Sequence, residues 1–136
     1  MSNEPIKVLL IEMNSRVYSN IIKMLDKSEN AKFEVINTST FNNGLKILET
    51  NKFDIILLDL DLSNNEGLES FKEILKKYIN IPIIILTSLA DEEIGIESIK
   101  YGIQDYLVKG EFNGKLLVRA VQYAIERKKM EGLFIY

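Results

Sequence analysis

The stretch Asp54-Ile55-Ile56-Leu57-Leu58-Asp59-Leu60 contains four consecutive apolar residues followed by a carboxylate. A continuous apolar run, rather than an alternating one, is typical of a strand with both faces covered by helices. Residues 8–11 (VLLI) and 83–86 (IIIL) are runs of the same kind, one on each side of it along the chain. The three runs therefore predict the central strands of a parallel sheet.

Shorter strands and amphipathic helices are predicted around these runs. Residues 33–37 and 106–108 are shorter or more polar, as edge strands can be. Helical spacing of apolar residues recurs five times, at Val17, Ile21 and Leu25; Phe41, Leu45 and Leu48; Leu68, Phe71 and Leu75; Ile94, Ile96 and Ile99 after Asp91; and Leu117, Ala120, Val121 and Ala124. This alternation predicts an α/β fold with helices on both faces of one parallel sheet. A strand order of 2-1-3-4-5 places the most apolar strands in the interior.

The composition excludes several classes of protein. The 136 residues contain no cysteine and no histidine, which excludes disulfides, thiolate metal sites and imidazole catalysis. The net charge of −3 gives no general case for nucleic-acid binding, which usually requires a clustered basic face. The apolar runs are far shorter than the roughly 20 residues of a membrane span, and no secretory signal is recognisable. We therefore expect a cytoplasmic protein that contacts neither membrane nor nucleic acid directly.

Four polar side chains follow the predicted strands at their carboxyl ends: Glu12, Asp59, Thr87 and Lys109. In sheets of this order, ligands bind outside those ends, where the strand order reverses. Neighbouring carboxylates are unfavourable without a cation, and Mg²⁺ prefers oxygen ligands of this kind. Lys109 would supply a point charge for an anion such as phosphate. Singly, each residue is more often a cap, a turn former or a surface residue, but the set indicates a cation-assisted phosphoryl site with a carboxylate nucleophile.

The sequence around these residues resembles the receiver domain of two-component response regulators over about residues 6–129. The matching motifs are residues 8–12 (VLLIE), 54–60 (DIILLDL) with Gly67, 82–88 (PIIILTS) and 104–110 (QDYLVKG). The resemblance implies a flavodoxin-like, doubly wound, five-stranded sheet. Residues 104–110 and 119–128 together resemble a subgroup of receivers that are often fused to sensory or kinase domains. We assign residues 1–131 to the receiver domain and residues 132–136 to an apolar tail, which could fold back, dimerise or begin a longer chain.

By this resemblance, Asp59 accepts a phosphoryl group from the phosphohistidine of a histidine kinase or phosphotransfer protein. The family's Mg²⁺ ion would be bound by the Asp59 carboxylate and the backbone carbonyl of Asp61, with Glu12 contributing through water. Lys109 would pair with the phosphoryl oxygens. The resemblance thus implies a phosphoprotein of a phosphorelay, with an aspartyl phosphate and magnesium at its site.

The resemblance also implies a switch. Thr87 would donate its hydroxyl to the phosphoryl group and shift the loop after the fourth strand. Tyr106 matches the family's aromatic switch position, although a half-buried edge-strand aromatic explains it equally well. This shift would change the surface that binds a downstream effector or a fused output domain. By family analogy, the same surface could also form a homodimer. The expected protein is a signalling module that assists its own phosphorylation and dephosphorylation, not an enzyme.

The chain departs from the family pattern after its first strand. Receivers normally have two adjacent acids there, whereas this chain has Glu12-Met13. The missing acid usually ligates Mg²⁺ directly, and a thioether is a poor ligand for a hard cation. We expect weakened Mg²⁺ binding, and a degenerate receiver that signals through protein contacts alone remains the alternative. Gly110 stands where the family has proline, so no cis peptide is predicted.

Two other classes share parts of the pattern. Asp59-Leu60-Asp61 is a D-x-D, but haloacid-dehalogenase-like phosphatases carry that motif on their first strand rather than their third. A flavodoxin-like protein that binds FMN needs a phosphate-cradling loop after strand one. Residues 12–15 (EMNS) are acidic and contain no glycine, which argues against that class.

Overall fold

The computed structural model describes residues 4–59, 68–88 and 103–133, with side chains omitted at 68–71 and 132–133. Within these ranges the elements are β1 (Ile6–Ile11), α1 (Ser15–Asp26), β2 (Phe33–Thr38), α2 (Phe41–Thr50), β3 (Ile55–Asp59), α3 (Leu68–Lys77), β4 (Ile83–Thr87), β5 (Asp105–Val108) and α4 (Gly114–Leu133). Asp61, Gly67 and the helix predicted after Asp91 lie outside the described residues.

The sheet has the predicted order, β2-β1-β3-β4-β5, and each pair of neighbouring strands is parallel. β3 and β4 each extend one residue further than the apolar runs indicated. Asp59 still pairs with Leu86, and Thr87 still pairs with Val108. The last residue of β3 and the last residue of β4 are therefore polar residues whose backbone positions are fixed by the strand ladder.

The core consists of two layers, one on each face of the sheet. Alternate residues of β1, β3 and β4 pack on one side against α1 and α4, including Val8, Leu10, Leu57, Ile21, Leu25, Leu117 and Val121. The intervening residues pack on the other side against α2 and α3, including Leu9, Ile11, Ile56, Phe41, Leu48 and Ile74. Burial on both faces explains why these strands are continuously apolar.

Side chains before the helices fix where α1 and α2 begin. Asn14 Oδ1 accepts hydrogen bonds from the N–H groups of Arg16 and Val17, as expected for an N-cap residue. Thr40 Oγ1 accepts from the N–H of Asn43 at the start of α2. The helices thus begin directly beyond the strand ends, so their first turns border the sheet rim.

Gly44 allows α2 to lie close to β1. A Cβ atom at this position would stand 2.6 Å from Cδ1 of Ile11. The absence of a side chain therefore brings the α2 backbone against the last residue of β1.

The second half of the last helix contacts the residue that precedes β5. Arg127 Nη2 donates to the carbonyl of Gln104 at 3.4 Å, and Gln104 Nε2 donates to Glu131 Oε1 at 3.1 Å. The division proposed between residues 131 and 132 falls inside α4, which ends at Leu133, and residues 134–136 lie outside the described ranges. Among the described helices, none has the length and apolarity needed to span a bilayer.

Truncating Leu57 tests the packing of the central strand. Leu57 is fully buried in β3, so Leu57→Ala should lower the free energy of unfolding by about 2–5 kcal/mol through lost burial and a residual cavity. Leu116→Ala makes the same change at a site that is 44% exposed, and it should cost less than about 1 kcal/mol. Urea denaturation monitored by circular dichroism measures both, and equal losses would contradict the assigned core.

Candidate functional site

An ammonium group lies against two carboxylates at the carboxyl ends of the strands. Lys109 Nζ is 2.8 Å from Asp59 Oδ1 and 3.3 Å from Glu12 Oε1. The Glu12 and Asp59 side chains are buried, whereas the Lys109 side chain is 19% exposed. The three residues predicted from separate strands therefore meet in one cluster, in which Lys109 is the most exposed member.

Backbone hydrogen bonds continue the sheet into this pocket. The N–H of Glu12 donates to the carbonyl of Thr38 at 2.9 Å, one residue beyond β1. The N–H of Lys109 donates to the carbonyl of Thr87 at 2.8 Å, one residue beyond β5. Asp59 is itself the last residue of β3. The three charged side chains are therefore attached to backbone that the sheet holds in place.

Thr87 lies at the end of β4 and is fully buried. Its hydroxyl donates to the carbonyl of Ser88 at 3.2 Å, and its backbone carbonyl is tied to Lys109. Tyr106 is half-buried in β5, pairs with Ile85 and packs against the core layer on the α2 and α3 side. Both predicted switch residues thus belong to the strands at the Lys109 end of the sheet.

Asn14 and Asn37 reinforce the site, and the sequence prediction missed both contributions. The N–H of Asn14 donates to Glu12 Oε2 at 3.1 Å. The Asn37 side-chain amide donates to the carbonyls of Leu10 and Glu12. The position of Asn14 before a predicted helix could have indicated its structural role. Asn37 gave no such indication, because asparagine is common in turns at strand ends.

The pKa of Glu12 is raised from 4.5 to about 7. The largest cause is burial of the carboxyl, because loss of water disfavours its charged form. The neighbouring Asp59 carboxyl raises the pKa further, whereas the N–H of Asn14 and the ammonium of Lys109 lower it. One ammonium therefore does not neutralise both carboxylates, and a proton on Glu12 supplies the missing positive charge near neutral pH.

The same charge imbalance suits a divalent cation. Glu12 Oε1 is buried and has no hydrogen-bond partner among the described residues, although Lys109 lies within ion-pair distance. Mg²⁺ typically takes one or two carboxylates and keeps several waters. The described residues contain no cluster of three acidic ligands, and the Met13 side chain is 65% exposed. The donor chemistry thus fits Mg²⁺ with two carboxylates.

Comparison with known proteins identifies the family and the fold of this chain. The family model for the response regulator receiver domain matches residues 8–122. The chain belongs to this family. The predicted resemblance and the flavodoxin-like fold are both confirmed. The chain is therefore a signalling module, as the receiver domains of this family are.

The relatives are longer proteins. The cell cycle response regulators CtrA of Brucella ovis and Brucella canis are 34% identical over 122 residues, which cover 90% of this chain and 50% of each relative. The chain therefore spans about half the length of the curated relatives it matches.

Solved structures agree over nearly the whole chain. A response regulator receiver domain protein from Clostridium thermocellum is 28% identical with a TM-score of 0.76, covering 92% of this chain and 98% of that one. The receiver domain of the Francisella response regulator 1452 is 27% identical with a TM-score of 0.73, covering 91% and 98%.

The raised pKa of Glu12 predicts a defined pH dependence of stability in the presence of a chelator. Between pH 4.5 and about 7 the folded state binds the Glu12 proton more tightly than the unfolded state does. The free energy of unfolding should therefore fall as pH rises through this window and level off above it, by up to about 3 kcal/mol from this group. Because the amide of Glu12→Gln mimics the protonated carboxyl, that variant should lose this part of the decline.

Urea denaturation of both proteins at several pH values from 5 to 8 measures the effect. A constant difference in unfolding free energy between the two proteins across this range would contradict the shifted pKa.

Proposed function

We propose that this domain accepts a phosphoryl group on the Asp59 carboxylate from the phosphohistidine of a histidine kinase or phosphotransfer protein. The observation that carries the proposal is the 2.8 Å contact between Nζ of Lys109, which is partly exposed, and Oδ1 of Asp59, which is buried. An ammonium next to the acceptor supplies positive charge where phosphoryl oxygens would arrive. Of the two carboxylates beside Lys109, Asp59 makes the shorter contact, at 2.8 Å against 3.3 Å for Glu12.

In the proposed step, an oxygen of Asp59 attacks the phosphorus atom and forms an acyl phosphate. The bond between phosphorus and the donor histidine nitrogen breaks, and the electron pair returns to the imidazole. The transfer uses charge stabilisation and alignment more than covalent chemistry by the protein. Lys109 would move from pairing with the free carboxylate to pairing with phosphoryl oxygens, because both groups are anionic oxygens within its reach.

The signal would then pass from Lys109 and the phosphoryl group to β4. The Thr87 hydroxyl would exchange its bond to the Ser88 carbonyl for one to a phosphoryl oxygen, which is a stronger acceptor because it is charged. That exchange releases the backbone directly after β4. Tyr106 on the adjacent strand would change rotamer as this segment moves, altering the surface that binds a partner.

Mg²⁺ would be held by the Asp59 carboxylate and the backbone carbonyl of Asp61, with Glu12 contributing through water. When bound, the ion neutralises charge on the transferring phosphoryl group. The arrangement of Glu12 and Asp59 supports this assignment, because two buried carboxylates share the single ammonium of Lys109. Met13 supplies no carboxylate, so we propose weaker Mg²⁺ binding than a two-acid site would give.

The partners follow from this activity. The phosphohistidine donor would be a cytoplasmic kinase or phosphotransfer protein, and the output would be a separate effector or a fused domain. The half-length match to the longer CtrA regulators supports a fused output domain. We propose residues 1–131 as the phosphoacceptor unit, and homodimer formation as one form that the switched surface could take.

Replacing Asp59 tests the acceptor. Incubation with acetyl phosphate or phosphoramidate should add one phosphoryl group to the wild type by intact mass, and Asp59→Asn should abolish the addition because an amide is not a competent nucleophile. Asp54→Asn is the matched control, because Asp54 lies just before β3, at the opposite end from Asp59, and accepts from the N–H of Lys7. An unmodified wild type would instead support the degenerate receiver that signals through protein contacts.

Replacing Met13 tests the metal. Met13→Asp restores a second acid beside Glu12 and should tighten Mg²⁺ binding several-fold, since carboxylate oxygens suit this ion and a thioether does not. A Mg²⁺ titration of amide NMR shifts near the site gives both affinities. Met130→Asp, at an exposed methionine of α4, controls for added negative charge. Equal affinities in the wild type and Met13→Asp would refute the proposed weakening.

A further inference from the structure

Asn37 joins the ends of two strands beside the site. Its side-chain amide donates to three backbone carbonyls, those of Leu10 at 3.0 Å, Glu12 at 3.3 Å and Thr38 at 3.4 Å. Asn37 lies on β2 opposite Leu10 and is half-buried. The amide therefore reaches from the edge strand to the point where the chain leaves β1.

Hydrogen bonds to β2 hold the backbone of Glu12 in place. Its N–H donates to the carbonyl of Thr38, and its carbonyl accepts from Asn37. The Glu12 carboxylate in turn accepts from the N–H of Asn14 and lies 3.3 Å from Lys109 Nζ. Because Glu12 is only 1% exposed, its side chain has little room to compensate for a displaced backbone.

We propose that Asn37 is a positioning residue for the phosphoacceptor site and acts through Glu12 on Lys109 and Asp59. The inference rests on the proposed function, since the reaction it assists is transfer to Asp59. Without the amide, the Glu12 carbonyl loses its side-chain donor, and a buried carbonyl that loses its partner favours rearrangement. The Glu12 carboxylate then shifts relative to Lys109, which alters the charge next to the acceptor.

Asn37→Ala removes the donor and is the primary test. Loss of such an outer partner should lower the rate of Asp59 phosphorylation at saturating acetyl phosphate about tenfold. It should also shift the NMR signal of the Lys109 ammonium, which reports the carboxylates around it. Asn51→Ala is the matched control, because the Asn51 amide also donates to a backbone carbonyl, that of Ile47 at 3.0 Å, at the end of α2.

A slowed reaction with a shifted Lys109 signal in Asn37→Ala, both unchanged in Asn51→Ala, supports the inference. An unshifted Lys109 signal overturns it, even if the reaction slows, because Asn37 would then act only by fastening β2. If Asn37→Ala does not fold, Asn37→Ser, which keeps a shorter donor, is judged by the same two criteria. Should the wild type take no phosphoryl group, the proposed function fails, while the Lys109 signal still decides the role of Asn37.

Discussion

The site depends on one ammonium that lies between two buried carboxylates. Lys109 contacts Asp59 closely and Glu12 at a longer distance, and burial weakens the ability of water to stabilise either acid. Two negative charges and one positive charge leave an imbalance that the pocket must correct with a proton, a metal ion or both. Burial is the largest cause of the raised pKa of Glu12, and the neighbouring Asp59 carboxyl raises it further.

The sheet maintains this unfavourable arrangement of charges by fixing the backbone at each charged residue. Asp59 closes β3, while Glu12 and Lys109 each follow a strand by one residue and still bond to the neighbouring strand. Asn14 adds a further link, since one residue caps α1 with its side chain and holds Glu12 with its N–H. The helix start and the acidic pocket are therefore a single local structure.

Sequence patterns predicted the fold well because strands that are buried on both faces appear in the sequence as continuous apolar runs. The apolar runs at residues 8–11, 55–58 and 83–86 became the three central strands, and their polar successors came together at one rim. Strand ends were less predictable. Asp59 and Thr87 look like the first residues of loops, yet they keep ladder partners because the neighbouring strands extend alongside them.

The sequence by itself determined the class of fold, the strands that are buried on both faces and the identity of the charged residues at the rim, because periodicity and strand-end position are local properties of the chain. Only the tertiary structure decided how those residues interact. The proton affinity of Glu12 depends on burial and on the carboxylate of Asp59, which lies on a different strand. The reach of Asn37 to Glu12 depends on the register of β2 against β1. Both properties depend on distances between atoms in the folded protein, which the spacing of residues along the chain does not encode.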